Sequence, residues 1–174
     1  MVTMKCYPWT YWDKVALVGD SAHAIVPFYG QGMNAGFEDC HILDMLLDQH
    51  ADQWPATLQA FQGVRKEDGD AIAQLAVDNF IEMRDLVADP EFLLRKKIEA
   101  RFSERHPDKW LPLYSMVTFS HIRYSEALKE GQRQDAIMAE VMAMDNIEQI
   151  WDQPEVESKM LELIKDDHFY FTLI

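Results

Sequence analysis

The segment Gly19-Asp20-Ser21-Ala22-His23-Ala24-Ile25-Val26-Pro27-Phe28-Tyr29-Gly30-Gln31-Gly32-Met33-Asn34 constrains this chain more than any other. It follows the apolar run Val15-Ala16-Leu17-Val18 and ends where a helical pattern begins. Between those two lie a carboxylate, three glycines and a proline. A polar, glycine-rich connection from strand to helix is where α/β proteins build their sites. Asp20 directly follows the strand, where a ligand hydroxyl can donate to it. Gly30 and Gly32 let the backbone approach closely or take positive φ. The first free N–H groups of the following helix, near Met33 and Asn34, carry a partial positive charge worth about 0.3–2 kcal/mol toward an anion.

The rest of the composition narrows the class. With 174 residues, 48% of them hydrophobic, the chain is long enough for one ordinary domain with a core. Its 16 basic and 30 acidic residues give a formal charge of −14, which argues against nucleic-acid and anionic membrane partners. Cys6 and Cys40 follow no metal or redox spacing, and no leader pattern is present, so the expectation is a reduced, cytoplasmic chain. No stretch reaches the ~18 apolar residues of a membrane span. The closing Phe169–Ile174 run is expected to be a packed or frayed tail.

Periodicity predicts a mainly α chain: one or two strands at the start, then about five or six helices. Thr3–Trp9 and Val15–Val18 read as extended, with Asp13-Lys14 as the turn between them. A first helix is expected from about Asn34 to Asp48, with Glu38 and Asp39 near its first turn. Pro55 opens a second, which Gly63 and Gly69 are expected to interrupt or bend. A helix over Asp70–Ala88 carries Asn79 on its apolar face, and Pro90 ends it and starts the next. The stretch His106–Ser120 reads as irregular; helices follow over Tyr124–Met144 and after Pro154. A sheet needs more strands than these. The first strand-loop-helix therefore reads as the last unit of a larger α/β domain, and the chain as a carboxy-terminal portion or one half of a split protein.

An aspartate, close glycines and a helix N-terminus suit a polyol joined to a group that becomes anionic, a description that a reduced flavin with its ribityl chain meets. At this point the sequence resembles the FAD-dependent aromatic hydroxylases. Gly19–Asn34 matches their Gly-Asp-Ala-Ala-His motif and the Pro and Gly-x-Gly-hydrophobic-Asn loop that follow, with Ser21 in the usual alanine place. The segments 26–40, 79–83 and 112–120 resemble one member of the family that acts on an aromatic amino acid. The resemblance covers residues 1 to about 130 and weakens in the tail. It implies a two-domain α/β fold, with residues 1–50 closing the FAD-binding domain, 51–130 contributing to the substrate pocket and 131–174 forming a helical tail.

The resemblance also implies roles. Asp20 binds the ribityl hydroxyls of FAD, and the backbone of Gly32, Met33 and Asn34 faces the pyrimidine end. Pro27, Phe28 and Tyr29 line the substrate side, and Asn79 and Tyr114 hold the amino acid moiety. NADPH is the co-substrate, O₂ supplies the oxygen, and no side-chain catalytic residue or metal is required. The pyrophosphate-holding Gly-x-Gly-x-x-Gly is absent from this sequence. So are the arginine and second tyrosine that the family uses from its amino-terminal part, and the chain alone is expected to be inactive. Two other readings stay in view: a non-catalytic helical fragment that self-associates or packs on a partner half, and a serine esterase with Ser21 as nucleophile. The esterase reading needs an Asp-x-x-His near the end, where Lys165-Asp166-Asp167-His168 stands instead. His23 reads as a structural histidine.

Overall fold

The computed structural model describes residues 2–164. The esterase segment Lys165–His168 and the Phe169–Ile174 tail lie outside them. The chain divides into two compact units, Met1–Ile81 and Glu82–Ile174.

The first unit opens with a short antiparallel hairpin, β1 (Thr10–Tyr11) and β2 (Val15–Ala16), in the register Thr10 opposite Ala16. The ladder is later and shorter than the extended runs predicted for it. Residues before Thr10 fold onto the unit by single contacts instead: Met4 N–H reaches the Ala24 carbonyl at 2.8 Å, and Trp9 N–H reaches Gln62 Oε1 at 2.6 Å. Nor is β2 a buried strand. It pairs on one edge with β1, and Val15 is 50% exposed.

After β2 come a single turn of helix, α1 (Asp20–His23), and a 3₁₀ turn over Pro27–Tyr29. Gly30 closes that turn in the left-handed region at φ 70°. Two long helices complete the unit: α2 (Gly32–Gln49) and α3 (Trp54–Ile81). Because α2 starts at Gly32 rather than Asn34, Glu38 and Asp39 fall in its second turn, and Asp39 is fully buried. Helix α3 runs unbroken through Gly63 and Gly69, against expectation. Gly69 serves close packing instead: a Cβ there would lie 2.6 Å from Cη2 of the buried Trp9 indole. Trp9, Ala22 and Phe61 form the adjoining apolar cluster, with Leu17, Val18, Leu43 and Leu46 around it.

The second unit begins with a π-helical turn, Glu82–Leu86, and continues with α4 (Pro90–Arg105), α5 (Leu113–Phe119), α6 (Tyr124–Met142), α7 (Ile147–Ile150) and α8 (Pro154–Ile164). Asp89 caps α4, its Oδ1 accepting from Glu91 N–H at 2.8 Å and Phe92 N–H at 3.1 Å. Helix α5 occupies part of the stretch expected to be irregular; Pro112 at its N-cap makes it possible, and Met116 and Val117 are buried. Ile98, Phe102, Trp110, Met138, Val141, Val156 and Met160 form the core, with Met142 and Met144 packed on it. No described helix is long and apolar enough to cross a membrane. Six of the described α-helices have seven residues or more, in keeping with the mainly α expectation.

Candidate functional site

The Gly19–Asn34 segment is a folded surface rather than an open loop. Gly19 takes φ 61° and ψ −138°, a conformation that only glycine enters cheaply. Asp20, exposed, is the first residue of α1. Ser21 clamps the turn behind it: its hydroxyl donates to the Val18 carbonyl at 2.7 Å and accepts from Val18 N–H at 3.0 Å. A nucleophilic serine must give its proton to a base; this one gives it to backbone, which disfavours the esterase reading.

The start of α2 lies open. Its N-cap residue Gln31 makes no side-chain capping bond, Met33 is 71% exposed, and Asn34 is exposed with its Nδ2 donating to Gln31 Oε1 at 2.9 Å. A Cβ added at Gly30 would meet nothing within 4 Å. Of the aromatic turn, Pro27 is exposed, Phe28 half-buried and Tyr29 buried. Asn79 is joined to this turn directly, its Nδ2 donating to the Phe28 carbonyl at 2.8 Å. Phe28 also meets Phe80, with ring centroids 4.3 Å apart. Tyr114 belongs to the second unit, where it is 53% exposed on α5 and packs edge-on against Phe119 at 6.0 Å.

A charged cluster, unforeseen in the sequence, lies beside the Gly19 turn. Asp39 Oδ2 accepts from Gly19 N–H at 2.9 Å and meets His23 Nε2 at 2.6 Å, while Oδ1 accepts from Arg65 Nε at 2.7 Å. Arg65 also donates to Asp68 at 3.3 Å and to the Ala35 carbonyl at 3.3 Å, and its Nη1 stands 2.9 Å from Glu38 Oε2 as an ion contact. Burial works to raise the Asp39 carboxyl, but hydrogen bonds from His23, Gly19 and Arg65 outweigh it and hold the group below the usual carboxylate range. Burial likewise opposes the charge on Arg65, and Glu38, Asp39 and Asp68 more than restore it. The sequence does carry a signal for the cluster. Asp39 sits at helical spacing between Ala35 and Leu43, and Arg65 and Asp68 sit between Phe61 and Ile72, charged residues on apolar stripes.

The residues present fit a flavin in three respects. Asp20 offers an exposed carboxylate to hydroxyl donors. The first N–H groups of an 18-residue helix lack a side-chain cap and face an acceptor or anion favourably. The glycines around them leave room for close approach. Nothing among the described residues groups histidine, cysteine or carboxylates as a metal site would.

Comparison with known proteins points to the same cofactor class. Residues 4–74 match the family described as FAD binding domain. The chain is 58% identical over 165 residues to the kynurenine 3-monooxygenase of Flavobacterium johnsoniae, covering 95% of this chain and 37% of that protein. The Christiangramia forsetii protein of the same name gives the same identity and coverage. That of Flavobacterium psychrophilum is 52% identical over 164 residues, 94% of this chain and 37% of the relative. The chain thus spans little more than a third of the curated relatives it matches, and resembles FAD-dependent monooxygenases over nearly its whole length. The match to the Flavobacterium johnsoniae relative runs on into the tail beyond residue 130, where the motifs alone show a weaker resemblance.

Proposed function

We propose that this chain supplies the ribityl and pyrimidine side of an FAD site, and one wall of a substrate pocket, in a cytoplasmic monooxygenase that converts L-kynurenine to 3-hydroxykynurenine with NADPH and O₂. One observation carries the reading: the Gly19 turn is pinned to α2 through Asp39, so the exposed Asp20 and the open start of α2 belong to one fixed strand-turn-helix. In this reading residues 1–50 complete the flavin domain, 51–130 contribute to the pocket and 131–174 form the helical tail.

The bound flavin would supply the redox chemistry, passing electrons from NADPH to O₂. The work of these side chains is holding and shielding. Asp20 accepts hydrogen bonds from the ribityl hydroxyls. The N–H groups of Gly32, Met33 and Asn34 stabilise negative charge at the pyrimidine end. Pro27, Phe28 and Tyr29 present apolar surface that keeps water from the reacting ring. Asn79 and Tyr114 donate to the kynurenine carboxylate without adding charge, and the Asn79 amide fixes the Phe28 turn with one of its N–H groups.

A flavin titration tests the proposal, with and without an amino-terminal partner carrying a Gly-x-Gly-x-x-Gly strand-turn-helix. The chain alone is expected to bind FAD weakly or not at all, and the pair to restore bound-flavin absorbance. Absorbance that the partner leaves at the level of either half alone would contradict it. Exposure of Val15 at 50%, Met33 at 71% and Phe37 at 66% favours a second reading of the chain on its own, as a self-associating helical fragment. Sedimentation at rising concentration checks that: the sedimentation coefficient increases if the chain self-associates and stays constant if it does not.

A further inference from the structure

We infer that Asp39, held by His23 and Arg65, is the positioning residue for the Gly19–Asp20 turn, and through it for the flavin contact proposed for Asp20, on whose reading this inference rests. The carboxylate gathers groups from three elements. Gly19 N–H reaches it across 20 residues of sequence at 2.9 Å, His23 on α1 at 2.6 Å, and Arg65 on α3 at 2.7 Å. Ser21 fixes only the Val18 side of the turn. The Gly19 amide itself takes its acceptor from α2, and Gly36 on the same helix lets the two backbones meet, its Cα lying 3.8 Å from where a Gly19 Cβ would be. The positive φ of Gly19 sets the direction in which the chain leaves toward Asp20. The bond to Asp39 is what holds that unusual conformation.

His23 fits this role better than a packing role. It is 2% exposed beside Trp9, with ring centroids 5.3 Å apart. Its Nε2 is paired with Asp39, while Nδ1 is buried with no partner among the described residues. An apolar side chain would fill the same space without burying an unpaired nitrogen. The imidazole is therefore explained by the Nε2 bond, which orients the carboxylate oxygen that also takes Gly19 N–H. Arg65 holds the other oxygen, and is itself fixed by Asp68 and the Ala35 carbonyl.

The test uses the full chain without flavin, followed by amide resonances and hydrogen exchange in Asp39→Asn, His23→Gln and His23→Leu. An amide at 39 has one acceptor oxygen for three donors. Glutamine at 23 keeps a donor near the Nε2 position, and leucine keeps only bulk. In Asp39→Asn and His23→Leu, Gly19 amide exchange should rise by about tenfold beyond any change at Ile72 and Leu75, and the Gly19 amide proton should move upfield. His23→Gln should stay within about threefold of the parent chain. If Gly19 exchange only tracks the core amides, or leucine and glutamine at 23 behave alike, the positioning role is overturned. Because no flavin is present, failure here is separate from failure of the flavin titration, which judges the functional reading alone.

Discussion

At the scale of single residues, the cluster around Asp39 couples stability to pH. Its carboxyl is held below the ordinary carboxylate value by His23, Gly19 and Arg65 against the cost of burial. The folded-state pKa lies below the unfolded one, so this stabilisation is complete above the unfolded value of about 3.9 and is lost as pH falls through the folded value. Urea unfolding followed by tryptophan fluorescence should therefore show a midpoint that drops on acidification, with a shallower drop in Asp39→Asn. An equal acid dependence in both proteins would contradict the assignment. Removing Arg65 is harsher. Arg65→Ala leaves Asp39 and Asp68 buried without their cation, and should cost about 3–5 kcal/mol by the same unfolding measurement. Asp20 differs in kind, because it is exposed. Asp20→Ala should leave the urea midpoint unchanged and weaken FAD binding to the reconstituted pair by about tenfold or more.

At the scale of elements, α3 shows what a glycine in a helix can mean. Gly63 is exposed with nothing within 4 Å of an added Cβ, whereas Gly69 faces the Trp9 indole. Gly63→Ala should stabilise by about 0.5–1 kcal/mol through backbone entropy alone. Gly69→Ala should destabilise by about 1–3 kcal/mol, because a buried indole must move. Thermal unfolding of the two variants should shift in opposite directions. The same pair explains why the helix boundary was not legible. Local propensity treats both glycines as breakers, while their effect depends on a tryptophan some sixty residues earlier in the chain. Prolines were more readable where they open a helix: Pro55, Pro90 and Pro154 each lie in a first turn, since a missing N–H costs nothing there, whereas Pro112 in an aromatic, proline-containing stretch gave no such sign of α5. The turn at Asp13-Lys14 and the start of β2 at Val15 lie where the pattern puts them, while β1 falls after its expected place because a two-residue strand carries too few side chains to show a period.

At the scale of the whole molecule, the resemblance to FAD-dependent enzymes was legible because its motif is local. Asp20, Gly30, Gly32, Met33 and Asn34 lie within one short segment, and their types alone describe a ligand with hydroxyls and an anionic end. The Asp39 cluster shows in the sequence only as single charged residues on apolar stripes; that they meet is set by the fold, which draws them from α1, α2 and α3. The most direct test of the central claim is the mass of the product formed by this chain, its amino-terminal partner, FAD and NADPH when kynurenine is added in air. The account predicts NADPH oxidation stimulated by kynurenine, with a product one oxygen atom heavier than the substrate. Kynurenine recovered unchanged from a pair that binds FAD would contradict it.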